Sequence, residues 1–263
     1  MQVTGIFIYP IKATAAVRLE EAEVRPRGLA GDRRWVVIDE HGQFLHQRIH
    51  PELTGVKCSV AADGKLRIEA SAVEPFSVVP SASTTRVTVT VWGDNIDAAD
   101  AGEEAAKWFT QYLKFPCRLA YMDEISHRSA RRPYARETDV VSFADAMPLL
   151  VCTEASLRDL NGRLQAPIPM DRFRPNVVVD GDAAWGEDKW RRLRIGDVEF
   201  EATHPSIRCV VTTTDQATGD RSPDGEPLKT LATFRNSPDG VRFGHNLVPR
   251  GSGTIRIGDR VRL

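Results

Sequence analysis

The sequence predicts a mainly β protein, an α+β chain with a β-barrel architecture and a few helices packed outside it. Three observations support this prediction. Short β-branched or aromatic runs such as Val3–Tyr9 recur along the chain, and turn-forming segments separate them. Few stretches show the apolar spacing of helices. Two similar segments, Leu193–Phe200 and Ile255–Leu263, each predict a strand, a Gly-Asp turn and a second strand, as in hairpins that close a barrel.

The first part of the chain contains strands, turns and one helix. The predicted strands are Val3–Tyr9, Val17–Val24, Trp35–Ile38, Arg86–Val91 and Cys117–Tyr121, with turns at Asp39–Gly42, Asp63–Gly64 and Trp92–Asn95. A helix is predicted over Gly102–Leu113, because acidic residues occupy its first turn and Ala106, Phe109 and Leu113 fall on one stripe. Pro116 is expected to stop it, since proline cannot continue a helix.

A polar stretch at 123–142 follows the last of these strands. It holds four arginines and has little periodicity, which predicts a surface loop or linker. We therefore place a domain boundary near residue 121, which divides the chain into 1–121 and 122–263. Two roles remain open for the arginines, because they would suit either a solvated loop or a charged rim over an anionic ligand.

The second part of the chain resumes with a strand at Leu149–Cys152. Thr153 is predicted to cap the helix that follows it, with Leu157, Leu160 and Leu164 on the buried face. Further along the chain we predict a strand at Val177–Val179 and a short helix from Pro227 through Phe234.

Composition excludes several classes of protein. The 263 residues carry 35 basic and 36 acidic side chains, so no charge excess favours nucleic-acid or anionic-membrane binding. The four cysteines are far apart and form no C-x-x-C pair, which argues against zinc fingers, common iron-sulfur sites and thioredoxin motifs. The chain begins with a predicted strand rather than a signal sequence, and its longest apolar runs are too short to cross a bilayer. We expect a soluble, cytoplasmic protein.

Cys209 is the residue with the clearest chemical potential. It follows Arg208, and an adjacent guanidinium favours the thiolate, which is the form that binds soft metals or attacks electrophiles. A lone cysteine is also often a buried structural residue, and that alternative remains open.

Four other segments carry candidate ligand-binding side chains. They are Tyr9–Lys12, Gly28–Arg33, Ser142–Ala146 and Arg172–Asn176. Lysine provides a point charge and arginine a planar fork that matches phosphate oxygens. Because Lys12, Arg33 and Arg174 follow or precede different predicted strands, they could surround one anionic ligand beside a thiolate.

Taken together, these segments resemble the MOSC family, named for the molybdenum cofactor sulfurase C-terminal domain. The resemblance runs from Gly5–Lys12 to Gly253–Asp259, and between them it includes Trp92–Asp94, Thr153–Leu157, Phe173–Asn176 and Arg208–Cys209. Within the family, the segments resemble the subgroup with an added N-terminal β-barrel domain. This subgroup includes the mitochondrial amidoxime reducing component and bacterial reductases of N-hydroxylated bases. The resemblance implies two β-barrel domains, with a molybdopterin between them.

The resemblance also assigns roles to individual residues. It implies Cys209 as the molybdenum ligand, Lys12 and Arg33 as anion contacts, Asp145 and Ala146 as neighbours of the pterin, and Arg174, Asn176 and Arg208 as the C-terminal wall of the site. It implies a molybdenum cofactor (Mo-molybdopterin) enzyme that reduces hydroxylamines, amidoximes or N-hydroxylated bases to amines. The electrons would come from a separate ferredoxin-like or reductase-like protein, and the enzyme would be a monomer. A family-level association with pyridoxal phosphate binding comes with the same resemblance. The alternative functions are a persulfide carrier on Cys209 and a protein that binds or delivers the cofactor.

Several of these residues also have structural interpretations. Asp145 would suit a turn cap, and Arg174 would suit a structural salt bridge. His204 is expected to be an ordinary loop histidine, and His245 and Asn246 are equally suited to the pocket border and to the core. Ala13 stands where the family often has a serine, and Asn246 where some members have an aromatic residue, which leaves one cofactor contact and the shape of the pocket open. Cys58, Cys117 and Cys152 are expected to pack as small hydrophobic residues.

Overall fold

The computed structural model describes residues 1–61, 65–80 and 85–263, and the turn predicted at Asp63–Gly64 lies outside them. Within these ranges the chain is mainly β, as predicted. The strands are β1 (Val3–Ile8), β2 (Val17–Leu19), β3 (Glu21–Arg25), β4 (Gly28–Leu29), β5 (Trp35–Ile38), β6 (Lys57–Val60), β7 (Leu66–Ala70), β8 (Val73–Val78), β9 (Arg86–Val91), β10 (Asp94–Asp100), β11 (Arg118–Tyr121), β12 (Leu149–Thr153), β13 (Val177–Val179), β14 (Arg192–Ile195), β15 (Val198–Ile207), β16 (Arg242–Pro249), β17 (Gly253–Arg256) and β18 (Val261–Arg262). The α-helices are α1 (Glu103–Leu113), α2 (Glu154–Asn161) and α3 (Leu228–Phe234), and short 3-10 helices occupy Pro51–Gly55, Met170–Phe173, Gly186–Lys189 and Val210–Thr213.

The largest sheet joins the two ends of the chain. Its eight strands run in the order β18-β14-β15-β16-β12-β13-β1-β2, and a second sheet pairs β17 with β3 and β4. Side chains such as Ile6, Val151 and Phe200 form the buried core of this curled body. Because β1 pairs with β13, the first strands of the chain lie in the same sheet as strands of the second half. The boundary near residue 121 stays a prediction, and the sheets do not follow it.

The remaining strands form two smaller sheets in the first half of the chain. One has the order β5-β11-β10-β9 and the other β6-β7-β8. Helix α1 packs on β8 and β11, with Phe109 and Leu113 in the core beside Trp35. The predicted helix is confirmed. It ends at Leu113, and the left-handed backbone of Lys114 (φ 67°) turns the chain before Pro116 is reached.

The predicted cap of the second helix is also confirmed. The Thr153 side chain accepts a hydrogen bond from the Ser156 amide at 3.1 Å, which satisfies one of the free donors at the start of α2. Leu160 is fully buried, while Leu157 and Leu164 are partly buried against the same cluster. This helix therefore covers one side of β12, close to the strands that hold the candidate site.

One of the two predicted hairpins is wrong. Leu193–Phe200 does form a hairpin, in which β14 and β15 pair across a left-handed Gly196. In Ile255–Leu263 the turn forms, but β17 pairs with β3 while β18 pairs with β14. The same Gly-Asp turn thus sends its two strands to different sheets, because open edges of β3 and β14 supply their hydrogen bonds.

The segment between β11 and β12 has no regular helix or strand within the described ranges, as predicted for 123–142. It is nevertheless ordered by pairing, because Ser129 and Val140 form an isolated bridge. Among the described residues, no helix is both long enough and apolar enough to pass through a membrane.

Gly244 in β16 provides a test of this packing. Its φ is +75°, and a Cβ there would lie 2.6 Å from Cys152 Sγ and 2.8 Å from the Val151 carbonyl oxygen. Gly225 has the same φ, and no described atom lies within 4 Å of the corresponding Cβ. Both Gly→Ala changes add the left-handed penalty of about 1–2 kcal/mol, but only Gly244→Ala adds overlap with the core. We expect Gly244→Ala to lower the free energy of unfolding by more than about 3 kcal/mol, measured by urea denaturation.

Gly225→Ala is the matched control for that comparison. Its free energy of unfolding should fall only by the left-handed backbone penalty. Equal losses in the two variants would show that β16 moves away from β12 to make room for the methyl group, and would contradict the tight packing of these strands.

Candidate functional site

Lys12 and Asp145 form an ion pair where the two halves of the chain meet. Lys12 Nζ lies 2.6 Å from Asp145 Oδ1, and the Trp92 indole Nε1 donates to the same oxygen at 3.0 Å. The Lys12 side chain is 7% exposed, whereas that of Asp145 is 74% exposed. The carboxylate is therefore open to solvent beside a buried ammonium group.

The charges around Asp145 set its protonation state. Desolvation by the surrounding residues raises the pKa of Asp145, but the charge of Lys12, the hydrogen bonds from Lys12 and Trp92 and the charge of Arg33 lower it by more. The net pKa lies well below the ordinary range of an aspartic acid, so the side chain is a carboxylate at neutral pH. Desolvation likewise lowers the pKa of Lys12, and the attraction of Asp145 opposes that shift.

Arg33 and Arg174 both lie against the ring of Tyr9. Their guanidinium carbons are 4.4 and 4.2 Å from the ring centroid. Arg33 also donates to buried Asp32 at 2.6 Å. Burial raises the pKa of Tyr9, which stays a neutral phenol and donates to the Pro175 carbonyl at 3.1 Å. Arg33 (φ 48°) and Arg174 (φ 53°) both have left-handed backbones, a conformation that concentrates at functional sites.

Arg208 and Cys209 complete the site from the end of β15. The Arg208 guanidinium donates to Ser206 Oγ at 2.8 Å and to the Phe173 carbonyl at 2.7 Å. Desolvation lowers the pKa of Arg208, while the nearby thiols and Asp145 oppose that shift, so Arg208 lies within electrostatic range of the ion pair. The Cys209 thiol is half-buried, at the start of the 3-10 helix Val210–Thr213.

Cys209 differs from the other three thiols in its surroundings. Burial raises the pKa of Cys58 to about 12 and that of Cys117 to about 11, and it raises the pKa of Cys152 further still. These thiols stay protonated, as expected for cysteines that pack as small hydrophobic residues. Among the four cysteines, Cys209 alone directly follows an arginine, Arg208, whose Nε is buried.

The site contains four cations, Lys12, Arg33, Arg174 and Arg208. Two of them have N–H donors without a hydrogen-bond acceptor. Arg174 Nη2 and Arg208 Nε are buried and have no hydrogen-bond partner in the described part of the chain, and the same is true of Thr214 Oγ1. Partnerless Nε atoms also occur at other arginines of the chain, such as Arg235 and Arg242, but Arg174 Nη2 is the one terminal guanidinium nitrogen among the described residues that is buried without a partner. Two guanidinium groups with free N–H donors beside a lysine fit an anionic, phosphate-bearing ligand, and the Cys209 thiol fits a soft metal. The residues present are therefore compatible with the molybdenum cofactor.

Asn176 takes a different position from the one the resemblance implies. It is 1% exposed, its Nδ2 donates to the Phe7 carbonyl, and its Oδ1 accepts from the Leu150 amide and from Arg33. The side chain points into the protein and ties β1, β12 and Arg33 together. Asn176 therefore helps to orient Arg33, whose guanidinium donates to its side-chain oxygen.

Ala146 and the residues after Lys12 contribute packing and turns. Ala146 packs beside Met147 and Val248, and its carbonyl accepts from the Arg131 amide at 3.1 Å. Ala13 has a left-handed backbone (φ 72°), and the buried Thr14 hydroxyl donates to the Ile11 carbonyl rather than toward Lys12.

Arg128, one of the four arginines in the segment 123–142, is neither solvated nor part of a charged rim over a ligand. Arg128 is buried and donates to Asp94, to the carbonyls of Ser142 and Ala144, and to the Asp145 carbonyl at 3.2 Å. It thereby fixes the backbone on which Asp145 stands. No sequence motif marks this role, because the arginine lies in a polar, aperiodic stretch.

His204 in β15 and Asn246 in β16 form a cluster with Tyr134. His204 stacks on Tyr134 at 3.9 Å, and Asn246 Nδ2 lies 3.3 Å from His204 Nε2. His245 is 1% exposed, and neither of its ring nitrogens has a partner among the described residues. His245 therefore belongs to the core rather than to the pocket border.

The burial of His245 predicts a pH dependence of stability. Desolvation lowers the pKa of His245 to about 4, whereas an unfolded histidine titrates near about 6.5. Between these pH values the unfolded chain binds more protons than the folded chain. The contribution of the neutral His245 to stability is therefore complete above about pH 6.5 and is lost as the pH falls toward 4. We expect His245→Leu to reduce the loss of unfolding free energy over this interval by up to roughly 3 kcal/mol, measured by urea denaturation at each pH.

His41→Leu is the control for this measurement, because the His41 side chain is 77% exposed. An unchanged pH slope in His245→Leu would show that His245 is hydrated or paired in solution, contrary to its surroundings in the structure.

Comparison with known proteins agrees with these features. The model of the MOSC N-terminal beta barrel domain matches residues 1–116, and that of the MOSC domain matches residues 138–262. Mitochondrial amidoxime-reducing component 1 of Mus musculus is 36% identical across an alignment of 281 positions that covers 99% of this chain and 82% of that protein. Mitochondrial amidoxime reducing component 2 of Homo sapiens is 35% identical across an alignment of 280 positions, covering 98% and 82%.

A solved structure, that of the YUAD protein from Bacillus subtilis, aligns with a TM-score of 0.42 and 8% identity over 99% of this chain and 93% of that one, a likeness too weak to add to the assignment. The association with pyridoxal phosphate binding has no support in any of these matches. The two matched domains and the relatives over nearly the whole chain lead to one conclusion: the chain belongs to the MOSC family, in the form that combines a MOSC N-terminal β-barrel domain with a MOSC domain.

Proposed function

We propose that this protein is a molybdenum cofactor-dependent reductase of N-hydroxylated compounds that takes its electrons from a separate redox protein. The observation that carries this proposal is the grouping of four cations from distant parts of the chain around Asp145. The carboxylate of Asp145 attracts the charges of Lys12, Arg33 and Arg174. It also attracts the charge of Arg208, which precedes Cys209. Lys12 and Arg33 are paired with Asp145 and Asp32, but Arg174 and Arg208 have no ion-pair partner among the described residues, and a bound anion would neutralise that excess of positive charge.

Each part of the site has a role toward the cofactor. The guanidinium groups of Arg174 and Arg208, with their free donors, would bind its phosphate oxygens together with Lys12 and Arg33. Asp145 is held as a carboxylate, and it would accept hydrogen bonds from pterin N–H groups. The Cys209 thiolate would bind the metal. Arg128, Asp32 and Asn176 would keep these groups oriented before the cofactor arrives.

When bound, the cofactor would supply the two-electron chemistry that converts an N–OH group, with two electrons and two protons, to N–H and water. The chain provides the cations that hold the cofactor. The names of the relatives, which are amidoxime-reducing components, support a substrate with an N–O bond. Hydroxylamines, amidoximes and N-hydroxylated bases all meet that requirement.

The proposal includes a cytoplasmic monomer and an external electron donor of the ferredoxin or reductase kind. The four cysteines are free thiols, which supports a reducing compartment. A monomer leaves the half-buried Cys209 accessible to a small donor protein.

The test is to purify the protein from a host that makes the molybdenum cofactor and to measure molybdenum by elemental analysis and pterin by fluorescence after oxidation. Reduction of hydroxylamine and of an amidoxime would then be assayed with chemically reduced methyl viologen as the electron source. We expect metal close to one per chain and substrate-dependent oxidation of the viologen. Neither metal nor pterin would contradict the proposal and favour a persulfide carrier, detectable by mass spectrometry on Cys209. Cofactor without reduction of either substrate would favour a delivery protein.

A further inference from the structure

The loop that follows Cys209 contacts the first half of the chain through two glutamines. Gln216 Nε2 donates to Gln47 Oε1 at 3.2 Å, and Gln47 Nε2 donates to Gln216 Oε1 at 3.1 Å. We call these two residues the glutamine pair. Gln47 is 2% exposed, and a reciprocal amide contact of this kind fixes both side chains in one orientation.

The glutamine pair is itself anchored on both sides. Gln47 Nε2 also donates to the carbonyl of Ala13, the residue after Lys12, at 2.7 Å. On the other side, Gln216 Nε2 donates to the Thr214 carbonyl at 3.2 Å, and neighbouring Asp215 pairs with Arg172 at 2.8 Å. The pair therefore links the turn at Lys12 with the loop that begins at Cys209.

The contact that matters for the site is the one to Arg174. Arg174 Nη1 donates to Gln216 Oε1 at 2.8 Å, while Nη2 is buried and has no partner among the described residues. The contact with Tyr9 places the guanidinium carbon 4.2 Å from the ring centroid, and a cation–π contact has little directional preference for the individual N–H groups. The hydrogen bond to Gln216 supplies this directional preference and thus determines where Nη2 points. Arg33, on the same ring, has the carboxylate of Asp32 for this purpose.

We propose that Gln216, held in place by Gln47, is a positioning residue that directs the free Nη2 donor of Arg174 into the anion-binding site. The chemical identity of the anion, a phosphate-bearing cofactor, rests on the proposed function, but the positioning itself does not. As a neutral amide, Gln216 orients Arg174 without neutralising its charge.

The test uses the full-length chain from a host that cannot make molybdopterin, titrated with inorganic phosphate by calorimetry. We expect Gln216→Ala to weaken phosphate binding about tenfold, the size of one charge-assisted hydrogen bond. Gln47→Ala should weaken it in the same direction by less, since Gln216 keeps its contact with Arg174. In an Arg174→Lys background, Gln216→Ala should change phosphate affinity by less than about twofold, because the group it positions has been removed. Gln165→Ala, at an exposed glutamine, is the control for the loss of an amide.

An equal loss in the parent and in the Arg174→Lys background would overturn the proposal, since Gln216 would then act through the stability of the loop. Unaltered phosphate affinity in Gln216→Ala would overturn it as well. Crystal structures of the parent and of Gln216→Ala provide a second measurement that needs no ligand. We expect the Arg174 guanidinium to rotate on Tyr9 in the variant, and an unchanged orientation would contradict the proposal. Absence of phosphate binding to the parent chain would count against the proposed function, while the two crystal structures would still decide the role of Gln216.

Discussion

Replacement of Cys209 by alanine is expected to change the coordination of molybdenum in the purified protein and to abolish reduction of N-hydroxylated substrates. The physical reason is that a thiolate is the donor a soft metal prefers, and alanine offers none. Cys209 is half-buried at the start of a 3-10 helix, and its thiol has no hydrogen-bond partner in the described structure. The change should therefore alter the free energy of unfolding by less than about 0.5 kcal/mol.

Cys58→Ala is the matched control, because Cys58 is also half-buried but burial raises the pKa of its thiol to about 12. It should keep its molybdenum and its activity. Elemental analysis, pterin fluorescence and thermal unfolding on the three proteins separate loss of metal from loss of fold. Molybdenum coordination in Cys209→Ala that is identical to that of the parent, measured by X-ray absorption spectroscopy, would contradict the assignment of Cys209 as metal ligand, even if activity fell.

Replacement of Arg174 by methionine is expected to have opposite effects on ligand binding and on stability. Burial lowers the pKa of the Arg174 guanidinium to about 10, so its charged form is disfavoured in the folded chain. Its Nη2 has no acceptor, and no carboxylate among the described residues forms an ion pair with it. Removing this charge should raise the free energy of unfolding of the cofactor-free chain by about 1 kcal/mol, a value reduced from the pKa shift because the side chain is partly hydrated.

The same variant should lose at least about tenfold in affinity for a phosphate-bearing ligand, because a charge-assisted hydrogen bond disappears. Urea denaturation of the cofactor-free chain and the pterin content of the loaded protein measure the two effects separately. Arg158→Met on α2 is the control, since the Arg158 side chain is 65% exposed and should change neither quantity appreciably. A loss of stability in Arg174→Met together with full pterin retention would mean that Arg174 is structural, as the alternative interpretation of the sequence proposed.

These two predictions rest on residues whose types were visible in the sequence. Cys209 beside Arg208, and Lys12, Arg33 and Arg174 next to predicted strands, were chosen because their chemistry suits an anion and a metal. That the cations meet around Asp145 depends on β1 pairing with β13, a contact between residues far apart in the chain. Periodicity carries no information about which distant edges join.

The sequence by itself determined the mainly β class, helix α1, the Thr153 cap and the family. Such features depend on neighbouring residues, whose spacing and turn chemistry are directly visible. Tertiary structure alone decided that the strands of Ile255–Leu263 separate to pair with β3 and β14, and that Asn176 points into the protein. It also decided that Gln216 accepts a hydrogen bond from Arg174. The physical reason is common to these cases: a backbone edge or a buried amide takes whichever partner the fold brings within hydrogen-bond distance, and that partner lies elsewhere in the chain.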